Sequence, residues 1–187
     1  MSKAVLISIH PKWCKLISEG KKIIEVRKNR PKLKTPFKCY IYQTKKGKVG
    51  TGLFTADGEI MGRSVKNGMV IGEFICDRIF ELAPTNHAPD NVESLSCMTR
   101  EEIVTYIKGI GYGWHISDIL IYDKPKELSE IIPNCQYVQE GACEGLKKVD
   151  CPFQKRDYNP DGSVNIVSCA NRVSRSPQSW CYVEEVW

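Results

Sequence analysis

Apolar and polar positions alternate along the chain in ways that predict its elements one after another. AVLISI, Ala4 to Ile9, is a short apolar, β-branched run and reads as a strand. HPKWCKLISEG follows, with Pro11 at a helix start, Trp13, Leu16 and Ile17 at helical spacing, and Gly20 as the stop. KKIIEVRK is β-rich, and a period of two puts Ile23, Glu25 and Arg27 on one face and Lys22, Ile24 and Val26 on the other, unless Lys22 sits in the preceding turn. FKCYIYQ, GMVIGEFICDRIFEL and GWHISDILIYD are three further strand candidates. TREEIVTYIKGIGYG opens with Thr99 and Glu102 at capping-box spacing, which predicts a helix ending near Gly109. Six glycines without a period between Gln43 and Gly68 predict a flexible hairpin or lid. Many strands, few helices and short links point to an α+β, barrel-like domain.

Composition narrows this picture. With 187 residues, 42% hydrophobic and 26% charged, the chain can bury one sizeable core, which excludes a disordered polymer. No run approaches the roughly 20 apolar residues that span a bilayer, and the apolar segment near Met1 is too short for a signal peptide, so a cytoplasmic protein is expected. Nine cysteines is an odd count, and in a reducing compartment they read as thiols or metal ligands before disulfides.

Charge is distributed unevenly. Up to Lys48 there are 14 Lys and Arg against Glu19 and Glu25, a balance of +12; the whole chain carries +5, so the remainder carries −7. A cationic first quarter suits an anionic partner such as nucleic-acid phosphates, the plain alternative being a solvated lysine face. Lys28, Arg30, Lys32 and Lys34 sit in a Pro-bounded loop and read as phosphate contacts.

Glu25 lies in the densest part of that run. A carboxylate among cations suits hydrogen-bond acceptance, and it can accept a hydrogen bond from a base's exocyclic amine while Lys and Arg hold phosphate or carbonyl oxygen. The alternative is that Glu25 only neutralises Arg27 on the same face. Glu73 stands in the apolar strand MVIGEFIC, where a buried carboxylate needs a partner. His115 is either a substrate contact or a hydrogen-bonded core residue. Trp13, Trp114 and Trp180 are either stacking faces for a base or core.

GKKIIEVR, Gly20 to Arg27, matches G-x-K-x-x-E-x-R and on this motif the chain resembles the ASCH domain, a branch of the PUA-like superfamily of RNA-associated β-barrels. The motif follows the first strand and helix, as in that family. VIGEF and GWHISDILIYDKPKEL resemble the strands that close such a barrel, and the latter with SPQSWCYVEE is also similar to phage-type and Firmicute-type members. The resemblance implies an ASCH domain over 1–132, an insertion over 133–175 and a closing strand over 176–187. It implies RNA or modified-nucleoside binding in a cationic pocket. Small bacterial relatives are amidohydrolases on N(4)-acetylcytidine, which offers the alternative of a hydrolase. Their catalytic Lys falls on Lys22, their Glu on Glu73, and their Thr on Glu25, a departure that would make water the nucleophile.

Cys135, Cys143, Cys151 and Cys169 lie inside the insertion at C-x7-C-x7-C-x17-C spacing, without the C-x2-C knuckle of common zinc ribbons. Four thiols in a stretch with little apolar periodicity predict a structural zinc, with an iron–sulfur cluster as the other four-cysteine solution. Cys14, Cys39, Cys76, Cys97 and Cys181 read as small buried hydrophobes.

Overall fold

The computed structural model describes residues 3–45, 58–83, 86–87, 89–131, 154–169 and 175–185. The elements run β1 (Lys3–Ile9), α1 (Pro11–Ser18), β2 (Ile24–Arg27), β3 (Phe37–Gln43), β4 (Gly58–Ile60), β5 (Arg63–Val65), β6 (Val70–Cys76), β7 (Ile79–Ala83) and β8 (Asn86–His87). They continue with α2 (Val92–Ser96), α3 (Arg100–Ile107), β9 (Gly111–His115), β10 (Ser117–Lys126), β11 (Gln154–Tyr158), β12 (Val164–Cys169) and β13 (Trp180–Glu184).

Two sheets carry the architecture. One has the order β10-β6-β3-β1-β13 and the other β2-β9-β7-β8. In the first, β1 runs parallel to β3 and antiparallel to β13. That sheet is covered on both faces, which accounts for the apolar run of β1, broken only by the buried Ser8. Val5, Ile7 and Ile9 face one core with Cys14 and Ile17 of α1, while Ala4 and Leu6 face another with Tyr40, Tyr42 and Val183. A third core joins Ile24 and Val26 of β2 to Val92 of α2 and Ile103 and Ile107 of α3. Thr99 caps α3 reciprocally with Glu102, as the spacing predicts.

Three expectations change. GMVIGEFICDRIFEL is two strands, because the chain leaves the first sheet at Asp77–Arg78 and joins the second. GWHISDILIYD divides likewise at Ile116, between β9 and β10. The two sheets therefore stay separate, and the described residues form no closed barrel. The glycine-rich segment holds a hairpin, β4–β5, whose Ile60 and Val65 enter the main core; its residues 46–57 lie outside those described.

Within the expected insertion, β11 and β12 pair with each other. Cys135, Cys143 and Cys151 lie outside the described residues, and Cys169 ends β12. Cys14, Cys39 and Cys76 are buried as expected, whereas Cys97 and Cys181 are only half-buried. Among the described residues no helix is long and apolar enough to cross a membrane.

Candidate functional site

The site begins with the end of α1. Gly20 takes φ +67°, a left-handed conformation that costs glycine nothing, and donates to Ile17 O at 3.0 Å while Lys21 N–H donates to Leu16 O at 2.9 Å. This turn delivers Lys22 ahead of β2, so Lys22 is released from the strand's alternation and reaches the same side as Glu25. Alternation then decides the rest: Ile24 and Val26 enter the third core, and Glu25 and Arg27 point the other way.

The three charged side chains are buried, with Lys22 at 1%, Glu25 at 5% and Arg27 at 5% exposure, so they act as a desolvated ion cluster and not as a solvated face. Glu25 Oε1 meets Arg27 Nη2 at 3.0 Å, and Oε2 meets Lys22 Nζ at 3.4 Å. Lys22 Nζ donates to Ser96 O at 2.7 Å and sits 4.7 Å from the centre of the Trp13 ring. Arg27 donates to Ser8 O at 2.6 Å and to Ser179 Oγ at 3.3 Å. Cys14 packs beside the cluster, and burial, reinforced by the Glu25 carboxylate, pushes its thiol well above the ordinary range. It is an inert thiol.

These charges form the floor of a cavity of about 240 Å³. Trp13, Met98 and Tyr106 supply apolar wall, and Ser8, His10, Thr44 and Gln178 supply polar groups. His10 Nδ1 and Thr44 Oγ1 are 3.5 Å apart. The stretch before β13 is pinned to the floor by Ser8, whose Oγ donates to Pro177 O at 2.6 Å and whose N–H donates to Ser179 O at 2.9 Å, leaving Gln178 at the rim. Glu25 Oε2 and Arg27 Nε have no hydrogen-bond partner among the described residues. Buried polar atoms are normally satisfied, so an acceptor held only by a long ion pair to Lys22 and a donor with no partner, on two residues that line one cavity, are suited to a ligand carrying the reverse pattern.

Of the residues singled out in the sequence, the cavity brings together Lys22, Glu25 and Arg27, with Trp13. Glu73 is elsewhere. It stands opposite Tyr40 in the β3–β6 register, on the sheet face away from α1, with Lys38 Nζ at 2.9 Å and the Tyr122 hydroxyl donating to it at 2.5 Å. Its need for a partner is met there, and strand alternation keeps it from Lys22. Trp114 is wholly buried against Phe37 and Trp180, which makes it core and not a stacking face. Trp180 is half-buried between Trp114 and Tyr182 and does not line the cavity. His115 pairs through Nδ1 with Asp77 at 2.6 Å, also away from the cavity. Lys28, Arg30 and Lys32 are exposed beyond its rim. Pattern reading missed His10, Thr44, Tyr106 and Gln178, which come from four separate segments and share no local signal.

A family model described as ASCH domain matches residues 7–180. No curated protein matches the chain. Among solved structures, the crystal structure of ASCH from Zymomonas mobilis is 15% identical with a TM-score of 0.53, covering 97% of this chain and 88% of that one. Two mutant forms of the same protein align with TM-scores of 0.55 and 0.56 at 16% and 14% identity, covering 98% and 97% of this chain and 92% and 89% of theirs. At such identities the likeness is one of fold.

Proposed function

This chain belongs to the ASCH domain family, and on that premise we propose that it binds RNA or a modified nucleoside through the cavity floored by Lys22, Glu25 and Arg27. The observation that carries this reading is that two buried atoms of the cavity residues make no hydrogen bond among the described residues: Glu25 Oε2, held only by its 3.4 Å ion pair with Lys22, and Arg27 Nε. The carboxylate accepts from an exocyclic amine, and the guanidinium donates to a ring nitrogen or carbonyl oxygen of the same base. The cavity is smaller than the roughly 300–1,000 Å³ of drug-sized sites, which suits a single base. Tyr106 and Trp13 offer it aromatic walls.

Glu25→Gln tests this. Calorimetric titration with cytidine, N(4)-acetylcytidine and uridine should show the parent preferring the bases that carry an N4 hydrogen. The substitution should weaken that preferred binding by roughly 1–3 kcal/mol and leave uridine little changed. Equal loss for all three, or none, would remove the base-reading role.

Hydrolysis of an acylated cytidine is the second reading, favoured by the motif lysine and the motif carboxylate sharing one cavity at 3.4 Å. Water would attack the acyl carbon, Glu25 would take one of its protons, Lys22 would stabilise the oxyanion, and the cytidine amine would leave with that proton. The products are cytidine and acetic acid, which releases the second water proton to solvent as it ionises to acetate. Glu73 has no part in such a step, because it faces away from the cavity. Chromatography of acetylcytidine incubated with the parent, Glu25→Gln and Glu73→Gln separates the readings: turnover lost only in Glu25→Gln makes the protein a hydrolase, and no turnover in the parent leaves a binder.

A further inference from the structure

From the rim of the cavity a band of cations and tyrosines runs outward along the 28–35 loop. Tyr106, on the cavity wall, carries Lys28 Nζ 5.3 Å from its ring centre. Arg30 Cζ lies 5.7 Å from the ring centre of Tyr112, the residue opposite Arg27 in the β2–β9 register. Arg30, Lys32 and Lys34 then line one open depression of about 340 Å³. Lys28, Arg30, Lys32 and Lys34 are exposed, and from Arg30 to Lys34 the loop alternates, with Pro31 buried and Leu33 packed on the main core. Lys32 N–H donates to the Tyr182 hydroxyl at 2.7 Å, a further anchor. The backbone is thus held down while its cations are held out.

Among the described residues those cations have no acidic partners. Lys21, Arg63 and Arg100 elsewhere on the surface are ion-paired, but none of Lys28, Arg30, Lys32 and Lys34 is paired among the described residues. Glu81 is the nearby acid to note, opposite Tyr112 in the β7–β9 register. Like charges gathered without neutralisation cost self-repulsion, which a polyanion relieves by releasing its counterions. Tyr106 is exposed beside these cations, and Tyr112 is half-buried against the main core with Arg30 over its ring. Such aromatic surface among cations is a feature that a single strand can use and a duplex, with its bases already stacked, cannot.

We propose that this band is a track for single-stranded RNA, continuous with the base cavity, so that the ligand is a base within a strand and not a free nucleoside. The proposal deepens the base-binding reading and rests on it. Lys28, Arg30, Lys32 and Lys34 hold successive phosphates, and Tyr106 and Tyr112 support the neighbouring bases.

The test compares the full chain with its Lys28→Gln/Arg30→Gln/Lys32→Gln variant and with Tyr112→Leu. The probes are a single-stranded oligoribonucleotide containing cytidine, its blunt duplex and free cytidine, each titrated at several salt concentrations. The parent should bind the single strand more tightly than either other probe. In the triple variant the ratio of single-strand to cytidine affinity should fall at least about tenfold at low salt, with the log–log salt slope reduced by about 2. Tyr112→Leu should lower single-strand affinity at least about fivefold with the salt slope kept. Two results would overturn the track: a duplex bound as tightly as the single strand, or an unchanged slope in the triple variant. Failure of the cavity reading looks different, since Glu25→Gln would then leave every affinity unchanged while the triple variant still lost the strand.

Discussion

Glu25 Oε1 and Arg27 Nη2 lie 3.0 Å apart on the cavity floor, each side chain only about 7% exposed, two positions apart on one strand. Adjacent charges on the same face of a surface strand contribute little; buried ones are coupled, because removing either strands the other without water. Glu25→Leu leaves Lys22 and Arg27 facing each other without an anion and should cost about 3–5 kcal/mol. Arg27→Leu should cost a similar amount, since it also abandons Ser8 O. The double variant should lose less than the sum by roughly 0.5–3 kcal/mol, read from urea unfolding. Additive losses would reduce the pair to two independent surface charges.

Gly20 controls where Lys22 arrives. A side chain there meets no atom within 4 Å, so Gly20→Ala isolates the cost of its positive φ. That cost should be about 1–2 kcal/mol, without steric damage to the core. Any weakening of cytidine binding in the same variant would report displacement of Lys22 from its 3.4 Å approach to Glu25.

Alkaline pH should expose the buried thiols. Burial pushes Cys76 from an ordinary 9.0 up to about 12. Below pH 9 the thiol is protonated whether the chain is folded or not, and it makes no pH-dependent contribution. Between about pH 9 and 12 the unfolded chain loses its proton first, so the folded state is progressively disfavoured. Unfolding free energy of the parent relative to Cys76→Ala should therefore fall by up to about 1.4 kcal/mol per pH unit above pH 9. A difference that stays flat to pH 11 would contradict it.

The four-cysteine site expected from Cys135, Cys143, Cys151 and Cys169 is open to direct metal analysis. Protein purified without added metal should carry about one zinc per chain, lost in Cys151→Ser while the near-ultraviolet signal of the buried Trp114 persists. A brown protein absorbing in the visible would replace zinc by an iron–sulfur cluster. Four freely titrating thiols would eliminate both.

Much of the fold was legible because local chemistry and tertiary structure agree. The apolar run of β1, the Pro11 start and Gly20 stop of α1, and the Thr99–Glu102 box of α3 each specify their element through backbone preferences that need no distant partner. The motif from Gly20 to Arg27 likewise contains the whole charged floor of the cavity, since a turn and four strand residues suffice to place Lys22, Glu25 and Arg27 together.

Tertiary structure alone decided the rest. Whether Asp77–Arg78 continues a strand or crosses between sheets depends on which edge is free to receive Ile79–Ala83, and no local pattern records that. Glu73 looked like a second catalytic carboxylate, yet its sheet face was set by pairing with Tyr40, which turned it toward Lys38. Trp114 and Trp13 are equally aromatic in the sequence, but only the second borders the cavity. Tyr106 and Gln178 reached the site from segments far apart in the chain. Period and propensity are properties of neighbours along the chain, whereas a cavity is a property of the space between elements.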